Sequence, residues 1–324
     1  MLLDSGVDDL RRRTTPVQIY LPIAELPVNV FVVFAMGLAV GFISGMFGIG
    51  GGFLMTPLLI FLGVPPAVSV ATVSTHIAAS SFSGAINYWR RKQVDLSLGL
   101  MLLAGGIVGT ASGVFLFTFL RTLDQLDLTI GVSYVILLGS VGGLMVTEGV
   151  RAIVRSHHGK PVELRRPGSH TWFHGLPLKM RFKKSRIYVS TIPVWTIGFL
   201  MGFIGAIMGI GGGFLLVPML IYFLRVPTNV VIGTSMVLTL VTMATATVLH
   251  SWTNHLVDAI LALILMVGGV SGAQFGARAG QKMRGERLRL LLGLLVLAVG
   301  IRFAIDLVLP PEDPYSIRTL EGPQ

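Results

Sequence analysis

Cysteine is absent from the 324-residue chain, and charged residues are scarce. Without cysteine the protein cannot form disulfide bonds, use a catalytic thiol or bind a metal through a thiolate. Charged residues make up 12% of the chain, against about 25% in soluble globular domains. Hydrophobic residues make up 53%, and the mean hydropathy is +0.79. This composition predicts an integral membrane protein.

Ten apolar stretches divide the chain, and eight of them are near 20 residues or longer. A helix of that length crosses a hydrocarbon core of about 30 Å. The eight lie at about 28–47, 67–89, 96–120, 128–150, 189–208, 229–251, 257–280 and 288–309. The other two, Gly51–Leu62 and Gly212–Phe223, cover 12 residues each, or about 18 Å of helix. We predict an all-α membrane protein of about ten transmembrane segments, two of them short half-helices.

Basic residues concentrate on one side of the membrane when the ten segments are assigned to alternate directions. That side receives 19 of the 25 Lys and Arg residues and 4 of the 15 Asp and Glu residues. Cytoplasmic loops carry such a basic excess, so both termini are predicted to lie outside. The run Arg11–Arg13 does not fit, although Asp4, Asp8 and Asp9 nearly balance it. We expect a multi-pass protein of the cell (inner) membrane.

The chain divides into five predicted regions. They are an N-terminal arm (1–27), a first transmembrane repeat (28–150), a basic cytoplasmic loop (151–188), a second transmembrane repeat (189–309) and a C-terminal tail (310–324). The net charge of +10 could suggest nucleic-acid binding by the basic loop. However, aromatic residues are not interleaved there as base stacking requires. We expect the loop to fix topology and contact anionic lipid headgroups, and we predict the lipid bilayer and a small anionic substrate, not nucleic acid, as partners.

The heptapeptide GIGGGFL occurs twice, at Gly48–Leu54 and at Gly209–Leu215. Further residues correspond between the halves once small shifts are allowed: Pro57 with Pro218, Thr72 with Thr234, Asp95 with Asp258, and Gly105-Gly106 with Gly268-Gly269. Each half holds five segments, and because five is odd, the second half enters the membrane from the opposite side. The sequence therefore predicts two inverted-topology repeats, as in many secondary transporters that bind substrate at interrupted helices near the midplane.

Each GIGGG cluster is predicted to interrupt a helix, and such a break must be buried or line a cavity. The free N–H groups that head the following short helix form a ready anion site, because the macrodipole places about half a positive charge there. The glycines assigned to this site are Gly48, Gly50, Gly51 and Gly52 in the first half and Gly209, Gly211, Gly212 and Gly213 in the second. Dinucleotide-binding and P-loop motifs do not fit, because Phe-Leu follows each cluster. Close helix packing remains the alternative, and it is the expected role of the glycines near positions 105 and 268.

Polar side chains inside membrane spans are costly and are therefore candidates for function. Six are assigned to substrate binding: Thr72, His76, Ser80 and Ser83 on one face of the third segment, and Thr234 and Ser235 in its counterpart. His76 is also the candidate proton carrier, because imidazole titrates near neutral pH. The alternatives are own-helix hydrogen bonds for the hydroxyls and a neutral, hydrogen-bonded role between helices for His76. His250, nearer a membrane edge, is expected to pack at the interface.

At these motifs the chain resembles the sulfite exporter TauE/SafE (TSUP) family. The resemblance covers about Phe34–Phe303 and rests on the two G-x-GGG-F-L…P segments, Gly233-Thr234-Ser235, Ser83-Gly84-Ala85 with the following Tyr88-Trp89-Arg90-Arg91, and Gly276-Ala277-Arg278. It implies a membrane permease without a prosthetic group for sulfite, organosulfonates such as sulfoacetate, or other small anions. We predict neither a cofactor nor a metal site. The basic loop and the N-terminal arm depart from the family pattern.

The sequence therefore predicts a secondary transporter, not an enzyme, that exports small sulfur-containing oxyanions and binds them between two glycine-rich breaks. An anion channel and a permease for another small organic anion stay open as alternatives. A membrane enzyme using His76 with Ser80 or Ser83 is disfavoured, because the spans contain no serine–histidine–carboxylate set. The oligomeric state is left open, with a homodimer as one option.

Overall fold

The computed structural model describes residues 18–47, 51–157, 177–182, 185, 187–224, 226, 228–280 and 285–308. The predictions on Gly48 and Gly50, on most of the basic loop and on the outer parts of both tails lie outside these residues.

Five helices form in each half of the described chain. In the first half they are α1 (Val30–Phe47), α2 (Gly52–Phe61), α3 (Pro66–Arg90), α4 (Leu96–Thr122) and α5 (Leu126–His157). In the second half they are α6 (Thr191–Met208), α7 (Gly213–Pro218), α8 (Thr228–Leu249), α9 (Ala259–Gly280) and α10 (Gly285–Val308). Two π-helical turns extend α7 and α8, at Met219–Phe223 and His250–Asn254 respectively. These helices correspond to the ten predicted apolar stretches.

Six helices in the described part of the chain are long and apolar enough to cross a membrane. They are α4, α5, α6, α8 with its π-turn, α9 and α10. The apolar part of α1 is shorter, and α2 has 10 residues. Helix α3 has 25 residues, which is the length of a span, but its hydroxyl and imidazole side chains lower its hydropathy. Of the eight predicted full-length stretches, those of α1 and α3 are therefore not among the six helices that are both long and apolar enough. The protein is an all-α, multi-pass membrane protein.

Each half packs its first helix against the fourth helix of the other half. Helix α1 of the first half lies along α9 of the second, and α6 of the second lies along α4 of the first. In addition, α3 packs on α8, and α5 packs on α10. Helices that correspond in the sequence repeat therefore make corresponding contacts.

Glycines allow these helices to approach closely. Gly41 of α1 packs on the backbone of Gly269 in α9, and Gly109 of α4 packs on the backbone of Phe199 in α6. Helices in membranes pack this tightly where small residues face each other. The packing role predicted for the glycines of α4 and α9 is confirmed.

A short antiparallel β-hairpin precedes the first helix of each half. The strands are β1 (Gln18–Leu21) with β2 (Leu26–Asn29), and β3 (Lys179–Phe182) with β4 (Ile187–Ser190). Neither hairpin was predicted; the first begins in the N-terminal arm and the second at the end of the basic loop, and each continues into the start of the following repeat.

Two aspartates tie these hairpins to the helix bundle. Asp258, just before α9, accepts a hydrogen bond from the backbone N–H of Ile23 in the first hairpin turn, at 3.2 Å. Asp95, just before α4, accepts one from the backbone N–H of Ser185 in the second hairpin turn, at 2.9 Å. Each carboxylate also accepts two N–H groups from the first turn of its own helix. These bonds satisfy donors that a helix start leaves unpaired.

Candidate functional site

Both glycine clusters separate a long helix from a short one. Helix α1 ends at Phe47 and α2 begins at Gly52, while α6 ends at Met208 and α7 begins at Gly213. Gly51 and Gly212 occupy the N-cap positions of the short helices with φ of 64° and 54°, and neither helix start has a side-chain cap. These left-handed conformations favour glycine, which has no Cβ to clash.

The two breaks meet in the interior of the protein. A Cβ added to Gly52 would lie 2.7 Å from the carbonyl oxygen of Gly209 and 2.8 Å from that of Ile210. One residue further along each half, Phe53 and Phe214 stack with ring centroids 4.6 Å apart. Both rings are buried. Two clusters 161 positions apart in sequence therefore form a single buried centre.

Backbone carbonyls at the second break accept hydrogen bonds from three different helices. The pairs are Tyr134 Oη to Met208 at 2.6 Å, Thr56 Oγ1 to Gly209 at 3.3 Å, and Thr239 Oγ1 to Gly211 at 2.9 Å. A helix C-terminus carries partial negative charge on its free carbonyls. Because protein donors satisfy these oxygens, the negative end of α6 is compensated at the place where the two breaks meet.

These three donors were not among the residues predicted for the site. Thr56 lies one helical turn after Gly52, so its position beside the glycine cluster was a usable signal. Thr239 is one of several threonines in α8, and the sequence did not indicate which of their hydroxyls would bond the break. Tyr134 is the single tyrosine of α5, and its residue type alone did not indicate that it would be buried and bond the end of α6.

The predicted hydroxyls do not all converge on the breaks. Thr72 Oγ1 accepts a hydrogen bond from the backbone N–H of Asp258 at 3.1 Å, and Thr234 Oγ1 accepts one from that of Asp95 at 3.2 Å. Ser80 and Ser235 donate to carbonyls of their own helices, three residues earlier, and Ser83 is half-buried in α3. Thr72 and Thr234 thus tie α3 and α8 to the starts of the helices on which they pack.

His76 is buried with 1% of its surface exposed, and its Nδ1 has no hydrogen-bond partner among the described residues. The ring lies against Gly269 of α9, where an added Cβ would fall 2.8 Å from Nδ1 and 2.9 Å from Nε2. The next residue, Ile77, contacts both Gly52 and Gly211. His76 is therefore one position from the meeting point of the breaks, and none of the described residues bonds its buried Nδ1.

The expectation for His250 is wrong. Its side chain has no exposed surface, and it bonds within the protein instead of packing at a membrane interface. The π-turn at His250–Asn254 ends α8 against α4 and α6, which turns the imidazole inward.

The chain is similar in sequence to known membrane transporters. A profile of the sulfite exporter TauE/SafE family matches residues 33–303. The chain is 24% identical to the "Probable membrane transporter protein YunE" of Bacillus subtilis (strain 168) over 279 residues, which cover 84% of this chain and 96% of that relative. It is 29% identical to a "Probable membrane transporter protein" of Xylella fastidiosa (strain 9a5c) over 284 residues, 84% of this chain and 94% of the relative.

A shorter segment is similar to plant proteins. Over 53 residues, 16% of this chain and 12% of the relative, it is 47% identical to the "Sulfite exporter TauE/SafE family protein 1" of Arabidopsis thaliana. No solved structure matches the chain. The family match begins in α1, ends in α10 and includes both glycine clusters. The chain therefore belongs to the sulfite exporter TauE/SafE family of membrane transporters.

Proposed function

We propose that this membrane transporter is a secondary exporter of small sulfur-containing oxyanions, such as sulfite or organosulfonates, in the cell (inner) membrane. The observation that carries the proposal is the meeting of two uncapped short-helix starts, at Gly52 and Gly213, in one buried centre. The anion would bind there, between the glycine-rich breaks. The proposal includes no enzymatic step, cofactor or metal.

The electrostatics of the centre favour an anion. Each short helix presents the positive end of its macrodipole, equivalent to about half an elementary charge for a full helix. Glycine at the N-cap positions 51 and 212 offers no side-chain acceptor to the helix starts, although the N–H of Gly213 donates to the Gly211 carbonyl. The nearby carbonyls of Met208, Gly209 and Gly211 accept protein hydrogen bonds. Anion binding at helix N-termini needs no basic side chain.

Alternating access follows from the proposed ten-segment, inverted-repeat topology. Two observations support that topology: the crosswise packing of α1 on α9 and α6 on α4, and the matched hydrogen bonds of Thr72 and Thr234. Contacts also group by predicted side, since Asp258 bonds the first hairpin and Asp95 the second. Rocking of one repeat against the other around a fixed central site is a common transport mechanism for such folds.

The polar face of α3 supplies the proposed substrate contacts. His76 is the group proposed to bind the anion or carry a proton, because its buried Nδ1 has no hydrogen-bond partner in the part of the chain that the structure describes. Ser80 and Ser83 follow on the same face of the helix. Thr72 and Thr234 would act by positioning, since their hydroxyls hold the starts of α9 and α4.

Flux measurements on purified protein in liposomes test this function. Sulfite, sulfoacetate, taurine and thiosulfate would be compared, with and without an imposed pH gradient, against protein-free liposomes. The proposal expects flux of at least one sulfur oxyanion that responds to the gradient. Flux that does not respond to the pH gradient would identify an anion channel. Flux of carboxylates alone would identify a permease for other organic anions.

A further inference from the structure

The two halves place different side chains around the glycine breaks, although their sequences repeat. Thr56 and Thr239 donate hydrogen bonds to backbone carbonyls of the second break. The residues at the corresponding positions of the other half are Val217 and Ile77, whose side chains have no hydrogen-bond donor. The hydroxyls that fasten the second break are therefore not repeated between the halves.

Ser44, near the end of α1, lies against the first break. Its side chain is buried, with 5% of the residue exposed. A Cβ added to Gly51, the N-cap of α2, would lie 2.9 Å from Ser44 Cβ and 3.2 Å from Ser44 Oγ. The residue at the corresponding position of α6 is Gly205. The first half thus has a hydroxyl beside the start of its short helix, where the second half has no side chain.

Ser81 of α3 carries a buried hydroxyl that no described residue bonds. The residue is 1% exposed, and its Oγ has no hydrogen-bond partner in the described part of the chain. Ile77, one turn earlier on the same face of the helix, contacts both Gly52 and Gly211. Because a buried hydroxyl without a partner is costly, this one indicates a ligand that supplies the partner at the breaks.

The second half shows which way the position of Ser81 faces. Ser81 corresponds to Met243 of α8, at the separation of 162 positions that holds along these two helices. A Cβ added to Gly205 would lie 2.9 Å from Met243 Cε, and Gly205 corresponds to Ser44. By the repeat, Ser81 faces Ser44 beside the start of α2. The first half presents two hydroxyls where the second half presents a methionine methyl group against a glycine.

We propose that Ser44 and Ser81 are further substrate-binding residues, and that the side-chain donors to the transported anion come from the first half alone. The inference rests on the proposed transport of small oxyanions and adds two hydroxyls to His76. At all three positions the second half carries a residue without a side-chain hydrogen-bond donor: Gly205, Leu238 and Met243.

Three helices contribute donors to this site. Helix α1 supplies the hydroxyl of Ser44, α3 supplies that of Ser81, and α2 supplies N–H groups of its first turn, which have no acceptor inside the helix. Helix α2 has 10 residues, and its start is the positive end of its macrodipole. Hydrogen bonds to an ionised acceptor are stronger than those to a neutral one. A sulfite or sulfonate group suits this arrangement, because its three oxygens give each helix an acceptor, whereas a carboxylate has two.

The second break would then shape the centre without a side-chain contact to the anion. The N–H of Gly213 at the start of α7 already donates to the Gly211 carbonyl. Met243 packs against Gly205, so an apolar group covers the place that corresponds to the two serines.

Binding measurements on the purified full chain test the inference. Ser44→Ala and Ser81→Ala each remove one hydroxyl, and each should weaken the binding of radiolabelled sulfite at least about tenfold, because a hydrogen bond to a charged ligand is lost. Ligand-induced stabilisation by methanesulfonate should exceed that by acetate in the wild type, and this preference should shrink in both variants. Ser74→Ala is the matched control. Ser74 is buried in the same helix, and its hydroxyl donates to the Val70 carbonyl of that helix, so its loss should leave the affinity for sulfite unchanged.

The melting temperature without ligand separates binding from packing. Ser81→Ala removes a hydroxyl that no described residue bonds, so it should melt at or above the temperature of the wild type. The double variant Ser44→Gly/Ser81→Met copies the pair of the second half into the first. It should fold, because Gly205 and Met243 pack together in this way, and it should not bind sulfite.

Wild-type affinity for sulfite in both alanine variants, or in the double variant, would overturn this inference and leave the proposed function standing. An equal loss of affinity in Ser74→Ala would overturn it too, since the loss would not depend on the two hydroxyls. So would a fall in the melting temperature of Ser81→Ala that accounts for its loss of binding. A wild-type protein that neither binds nor transports a sulfur oxyanion would overturn the proposed function and this inference together.

Discussion

Thr56 of α2 donates a hydrogen bond to the carbonyl oxygen of Gly209 at 3.3 Å, so the short helix of the first half holds the interrupted helix of the second. Both residues are buried. Thr56→Val keeps the shape of the side chain but leaves the Gly209 carbonyl without this donor. A buried unsatisfied group costs about 1–3 kcal/mol, so we expect a lower melting temperature and weaker anion binding.

The matched control is Thr122→Val. Thr122 is exposed at the end of α4, and its hydroxyl donates to a carbonyl of its own helix. Thermal unfolding in detergent, followed by intrinsic fluorescence, compares both variants with the wild type. Equal melting temperatures for Thr56→Val and Thr122→Val would show that the contact between the halves contributes nothing to stability.

Gly51→Ala and Gly212→Ala test the two breaks directly. Both glycines have positive φ, and a non-glycine residue there costs about 1–3 kcal/mol in strain. At Gly212 an added Cβ has room, with Met201 Cβ 3.5 Å away, so the effect comes from backbone conformation alone. We expect each variant to lose affinity for the transported anion in addition to stability.

The measurement is the melting temperature with and without the anion, because ligand-induced stabilisation depends on the dissociation constant. Gly139→Ala is the control, since a Cβ added at this helical position would meet no atom of another described element within 4 Å. It should keep the full ligand-induced shift. A full shift in Gly51→Ala and Gly212→Ala as well would assign the clusters to packing and place the anion site elsewhere.

The sequence repeat predicted much of this arrangement, because residues that correspond between the halves occupy corresponding positions. Thr72 and Thr234, and Asp95 and Asp258, were matched from sequence and form matched hydrogen bonds. The inward turn of His250 could not be predicted, because it depends on a π-turn, and such turns leave no clear mark in residue type. The contact of Tyr134 with Met208 depends on how α5 packs against α6, which hydropathy does not encode.

His76→Leu exploits a difference between the two halves. The residue that corresponds to His76 is Leu238, which packs against Gly106 as His76 packs against Gly269. Leucine at position 76 should therefore fit and fold, since it also removes a buried nitrogen with which no described residue forms a hydrogen bond. We expect a melting temperature at or above that of the wild type. We also expect transport to fall by at least about tenfold, which corresponds to about 1.4 kcal/mol.

A second variant separates binding from proton transfer at this position. His76→Gln keeps polar atoms at this buried position but has no group that titrates near neutral pH. Transport that persists in His76→Gln without a response to pH would indicate a proton carrier, and loss of anion binding in both variants would indicate a substrate contact. Wild-type transport and pH response in both variants would show that His76 only packs between α3 and α9.

Cysteine labelling tests the topology, and the absence of native cysteine makes each reporter unambiguous. Gln125, between α4 and α5, and Arg91, after α3, are both exposed and are predicted to lie on opposite sides of the membrane. In intact cells a membrane-impermeant maleimide should label Gln125→Cys but not Arg91→Cys. Both should react after permeabilisation, which controls for accessibility. The reverse pattern would invert the orientation set by the basic residues, and labelling of both in intact cells would exclude a crossing by α4.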